Sequence, residues 1–178
     1  MPLPTAEEIK LFGPLIPPFG RNTREDKLKR IEKGEDIFFD IPNGAYDAVN
    51  NNKPINCIHI STENFNLLIE NCPKYREDFF NEKYLWVIGT WGLRLIRENT
   101  RNEARVIKKY VCHTNLTGGL DAYQGGEIWF CEDNRIGINY FSDRYGATTR
   151  EQWNAVIQHF KNVGYNNVVE LFPMKDKK

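Results

Sequence analysis

Hydrophobic positions along the chain change their period partway through. "YLWVIG" at 84–89 and "GLRLIR" at 92–97 are short apolar runs separated only by Thr90 and Trp91, which predicts a β-hairpin. "ARVIKKYVCH" at 104–113 reads as a third strand leading into His113. "EIWFCE" and "RIGINYF" flank Asp133-Asn134, two residues that tolerate the positive φ of a tight turn, and predict a second hairpin. Beyond it the period becomes helical. Thr149 and Gln152 form a capping box, Trp153, Val156, Ile157 and Phe160 recur on one face, and Gly164 ends the helix. "NVVEL" at 167–171 is a short closing strand or an extended tail.

The first half is less periodic. Residues 1–22 are proline-rich, with Pro14, Pro17 and Pro18 in "GPLIPPFG", and are expected as an extended arm lying on the domain. Residues 23–80 read as mainly helical. "TREDKLKRIEK" at 23–33 is a charged helix stopped by Gly34, and "ENFNLLIENC" at 63–72 places Phe65, Leu68 and Ile69 at helical spacing before Pro73. The Asn, Gly and Pro content of 43–54 predicts a loop. Taken together the elements predict a single α+β domain, a mostly antiparallel sheet with helices packed on one side, with residues 84–172 forming the sheet and closing helix.

The second hairpin also serves as a ruler. A two-residue turn at Asp133-Asn134 pairs Glu132 with Arg135, Trp129 with Ile138 and Glu127 with Tyr140. Glu127, Tyr140 and Ser142 then share one face, with Ile128 and Phe130 on the other and Arg144 next in register. A polar strand end of this kind is either the wall of a cleft or a solvated strand end, with Arg144 as the surface partner of Glu127.

Composition removes several function classes. At 178 residues the chain suits one domain, and 24 basic residues balance 24 acidic ones, so no global field draws it to nucleic acid or an anionic surface. Any phosphate contact has to be local. Cys57, Cys72, Cys112 and Cys131 form no CxxC pair, and no run approaches the roughly 20 apolar residues of a membrane span. No membrane partner is expected. The N-terminus lacks an apolar signal core, so a cytoplasmic protein, or one delivered by a secretion system without a signal peptide, is expected. Cys112 and His113 face opposite ways if they lie in a strand, and no HxxxH spacing completes a set, so no metal is expected.

The candidate chemistry lies in "HTNLTGGLDAYQGGE", residues 113–127, and "SDRYG", residues 142–146. An imidazole with an unperturbed pKa of about 6.5 suits proton transfer at neutral pH. Glu127 adds a carboxylate and Arg144 a permanent cation able to hold a phosphate. Gly118-Gly119 and Gly125-Gly126 either permit tight turns or expose N–H groups as an anion nest near Asn115. Trp86, Trp129 and Trp153 sit at core-like positions, Trp91 is a candidate anchor at a hairpin tip, His59 alternates with isoleucines as a structural residue, and His159 is expected to be exposed.

From His113 to Tyr145 the chain resembles, without a gap, a module found in plant calmodulin-binding IQM proteins and in bacterial effector- or toxin-like proteins. That module runs His-Ser-Ser, a glycine-rich stretch, Ala-Gly-Glu, a strand pair and Ser-Gly-His-Tyr. The matching residues here are His113, Thr114, Asn115, Gly119, Gly126, Glu127, Ser142 and Tyr145, with Asp143 and Arg144 in place of the module's glycine and second histidine. "EQWNAVIQHFKNVGY" is similar to the module's closing helix, so the likeness covers about 85–172. No basic IQ-type helix is present, and calmodulin is not an expected partner.

Three readings follow. The first is a toxin- or effector-like enzyme cleaving RNA phosphodiesters without metal or other cofactor. His113, Glu127 and Arg144 would be catalytic, and Thr114, Asn115, Gly119, Gly126, Tyr140, Ser142 and Tyr145 would bind an RNA or nucleotide substrate. In residue types this set resembles small microbial ribonucleases, and an immunity or target protein would be its partner. The second is ADP-ribosyl transfer from NAD, although in that class the glutamate follows the aromatic and serine elements and Glu127 precedes them. The third is a protein-binding module without catalysis.

Overall fold

In the computed structural model, the described residues are 3–18, 20, 23–36, 45–47, 53–54, 58–71, 82–142, 144–172 and 174. They form an eight-stranded mixed, mostly antiparallel sheet and six helices, the expected α+β class.

Strand β1 (Ala45–Asp47) pairs with β2 (Lys53–Pro54), so the part of 43–54 that is described is strand rather than loop. β3 is His59–Ile60, β4 Tyr84–Gly89, β5 Gly92–Arg97, β6 Gln124–Cys131, β7 Arg135–Asn139 and β8 Asn167–Glu170. The order is β2-β1-β5-β4-β6-β7-β8, with β3 extending the β4 edge of β6. The four antiparallel pairings are β1–β2, β4–β5, β4–β6 and β6–β7; β1–β5, β3–β6 and β7–β8 run parallel. The Thr90-Trp91 hairpin has the expected register, pairing Gly89 with Gly92.

Every residue of β4 and of β6 is buried, which requires cover on both faces. On one face Trp86, Ile88, Ile128, Phe130 and Ile138 pack with Trp153, Val156 and Phe160 of α6 (Arg150–Val163). On the other, Leu85, Val87 and Ile96 meet Leu116 of α5 (His113–Thr117), while Trp129 and Cys131 meet Phe65 and Leu68 of α3 (Thr62–Glu70). The helices therefore divide between the two faces instead of lying on one. α6 has the expected Thr149–Gln152 capping box and ends at Gly164. α2 is Arg24–Glu32, within the expected charged helix.

Three expectations are corrected. Residues 104–113 are not a strand. Thr100 and Glu103 form a capping box that starts helix α4 (Arg101–Ile107), and Lys108 in the left-handed region ends it. The proline-rich arm is not extended throughout, because Thr5 caps helix α1 (Ala6–Phe12). His159 is buried, not exposed. Its Nδ1 lies 2.5 Å from Glu8 Oε2, and Phe12 meets it edge-on, so α1 covers α6 at this point.

The fourth correction decides the site. The second hairpin pairs Glu127 with Asn139, Ile128 with Ile138 and Phe130 with Ile136, one residue away from the expected register. Asn134 holds φ 71 and donates its N–H to Cys131 O, so the turn contains three residues with a left-handed third position. Because side chains alternate, this shift turns Tyr140 to the face of Ile128, where it meets Trp153 edge-on, and leaves Glu127 on the opposite face. Asn139 Oδ1 takes the N–H groups of Glu127 and Phe141, which ends β7 before Ser142 can continue it. Glu127, Tyr140 and Ser142 do not form a common wall, so the argument for a cleft from their shared face does not hold.

Candidate functional site

His113 is the first residue of α5. Its Nε2 lies 2.8 Å from Gly126 O, and since a carbonyl only accepts, Nε2 carries the proton and donates. A Cβ on Gly125 would come within 3.2 Å of His113 Cδ2 and 3.1 Å of Tyr145 Cβ. The imidazole thus rests over Gly125, on the same face of β6 as Glu127, and is half-buried.

Glu127 has a different role from the one expected of a catalytic carboxylate. It is buried, with Oε2 2.9 Å from Lys83 Nζ and Oε1 accepting from Asn139 Nδ2 at 3.0 Å. Lys83, also buried, lies 2.7 Å from Glu98 Oε2. Burial works to lower the Lys83 pKa, but the charges of Glu127 and Glu98 more than offset it and hold the ammonium above the usual lysine range. Both Glu127 oxygens are thus engaged within the protein, one by Lys83 and one by Asn139.

The remaining motif residues mainly join α5 to β6 and to the 142–146 turn. Asn115 is buried, accepts from Cys112 N at 2.7 Å and donates to Asp36 Oδ1 at 3.4 Å. Asp36 in turn pairs with Lys27 and Arg30 of α2. Thr114 is buried against Cys112 Sγ. Tyr145 Oη donates to Leu120 O at 3.0 Å and meets Thr117 Oγ1 at 3.1 Å; burial pushes its pKa up to about 12. Ser142 Oγ accepts from Tyr145 N at 3.1 Å, and Arg144 is half-buried in that turn.

The glycines follow the same logic. Gly119 has φ +76, and a Cβ there would stand 2.6 Å from Arg24 Cα. A Cβ on Gly126 would strike Asn139 O and the Trp86 ring. Gly119 N donates to Thr114 O, Gly125 N to Tyr145 O and Glu127 N to Asn139 Oδ1, so these donors are already used, which favours the tight-turn reading of the glycines over the anion nest.

His113 and Glu127 therefore share a face, Tyr140 is on the other, and Ser142 and Tyr145 hold the adjoining turn. Lys83 and Asn139 escaped the sequence reading. The first hairpin offered a signal for Lys83, since a Thr90-Trp91 turn places it opposite Glu98; the link to Glu127 needs the third strand. Among the described residues, no group of three or more His, Cys, Asp and Glu could hold a metal ion, and no helix is long and apolar enough to cross a membrane. Trp91, the expected anchor, is partly buried, with the Arg94 guanidinium 3.9 Å over its ring.

No family model, curated protein or solved structure matches the chain.

Proposed function

We propose that the protein is a small effector- or toxin-like enzyme that cleaves RNA phosphodiesters without a metal, with His113 as its proton-transfer group. The observation that carries this reading is the His113–Gly126 hydrogen bond. It orients a half-buried ring and places the proton of the neutral form on Nε2, so Nδ1 is the basic atom.

In this mechanism Nδ1 takes the proton of the ribose 2′-hydroxyl as that oxygen bonds to phosphorus. The bond from phosphorus to the 5′-oxygen breaks, water supplies the leaving oxygen with a proton, and a 2′,3′-cyclic phosphate and a 5′-hydroxyl result. Arg144 offsets negative charge on the phosphorane. Glu127 enters as a positioning residue, since it and Asn139 brace the strand that carries Gly126 O.

The second reading is a binding module without catalysis. It is favoured by the internal use of the Thr117, Asn115, Tyr145 and Glu127 side chains. RNA digestion in EDTA separates the two. The proposal expects cleavage ending in cyclic phosphate, abolished by His113→Ala. Nicotinamide release from NAD would replace it with ADP-ribosyl transfer, and inactivity on both substrates would leave the binding module.

A further inference from the structure

A cavity of about 420 Å³ opens at the far end of the sheet from His113, between the β6–β7 hairpin and the connection from α6 to β8. Its volume falls in the range of small-molecule sites. Phe130 and Tyr165 line it with aromatic surface, their centroids 6.1 Å apart, and His59 lies nearly parallel to Phe130 at 6.1 Å and 20°. Asn134, Asn166 and Asn167, each with a side-chain amide, are also among its lining residues. Among the described residues, none of these three amides and neither nitrogen of His59 is in a side-chain hydrogen bond.

Charge narrows the ligand class. Arg135, the one Lys or Arg among the described residues that line this cavity, is held by Asp133, with Nε 2.9 Å and Nη2 2.8 Å from Oδ2, and its Nη2 also donates to Asn66 Oδ1. Asp133 neutralises it locally. An anionic ligand would have to displace that carboxylate, whereas a flat uncharged heterocycle needs only aromatic faces and groups that both donate and accept.

We propose that this cavity binds a nucleobase. The ring stacks on the Tyr165 and His59 surfaces, and the amides of Asn166 and Asn167 pair with its edge, each offering one acceptor and two donors. The site does not depend on the reaction proposed at His113. Phe130 lies five residues along β6 from Gly125, about 17 Å at strand spacing, and points to the opposite face from the imidazole.

The test is titration of the full chain with adenosine, guanosine, cytidine and uridine, followed by backbone amide NMR shifts. At least one nucleoside should saturate, with the largest shifts at Gly164, Asn166 and Asn167. Its affinity should change less than twofold between low and high salt, and ribose 5-phosphate should leave the spectrum unchanged. His59→Ala and Asn166→Ala, both at exposed positions, should each weaken binding roughly tenfold while the remaining amides keep their positions. Absence of saturable shifts, shifts centred elsewhere, or binding that collapses with salt would overturn the assignment. RNA cleavage assays on the same two variants keep this outcome separate from that of the His113 proposal.

Discussion

Lys83→Met tests whether Glu127 is part of the framework or part of the chemistry. The Lys83 ammonium lies 2.7 Å from Glu98 and 2.9 Å from Glu127, and its side chain is 5% exposed. Methionine fills the space of the stem but leaves the buried Glu127 carboxylate with Asn139 as its remaining neutral partner among these groups. Breaking a buried pair from one side costs about 3–5 kcal/mol. In a chain of this size that lowers the melting temperature by roughly 6–20 °C. Glu127→Gln removes the charge but retains an oxygen for Asn139, and Lys83 keeps Glu98, so about 1 kcal/mol is expected. The double variant should be more stable than Lys83→Met alone, because the more deeply buried of the two carboxylates, Glu127, is no longer charged, whereas Glu98 is 24% exposed; the coupling should be about 1–3 kcal/mol. Urea unfolding of the four proteins measures all of these terms. A Lys83→Met cost below about 1 kcal/mol, or strict additivity, would refute the reasoning.

Gly126→Ala should cost about 1–3 kcal/mol or more by thermal denaturation, because the new methyl meets Asn139 O and the Trp86 ring. Tyr145→Phe should cost about 1–3 kcal/mol by losing the hydroxyl shared by Leu120 O and Thr117; in the parent protein, ultraviolet titration should show one phenol ionising only near pH 12. Hydrogen bonds from Arg97 hold the Glu103 carboxyl down from 4.5 to about 2. Its contribution is therefore present above pH 4.5 and lost as pH falls through about 2. Solvent screening at this partly exposed pair limits it to about 1 kcal/mol, so acid unfolding of Glu103→Gln should converge on the parent near pH 2.

The hairpins, the closing helix and its caps were legible because each depends on local pattern: apolar runs around Thr90-Trp91, helical spacing from Trp153 to Phe160, and Gly164 at the stop. The 104–113 segment misled because Val106, Ile107, Tyr110 and Val111 have high strand propensity, while the Thr100–Glu103 capping box that starts a helix lies just upstream. The second hairpin was recognised, but its register depended on one residue. Asp133-Asn134 fits a two-residue turn, and only the left-handed Asn134 with Cys131 O shows a three-residue one. That single step separated Tyr140 from Glu127. The burial of His159 and the pairing of Lys83 with Glu127 are long-range contacts, spanning 151 and 44 positions from partner to partner, and no local period encodes them.

The most direct test of the central claim is His113→Ala measured in two ways, by RNA cleavage in EDTA and by thermal unfolding. A general acid–base group accounts for about 10²–10⁴-fold in rate. The mechanism predicts a loss of that size, with a fall in melting temperature of a few degrees at most from the missing bond to Gly126 O. A variant that melts many degrees lower yet cleaves RNA at the parent's rate per folded molecule would contradict it, and His113 would then be a structural residue closing α5 onto β6.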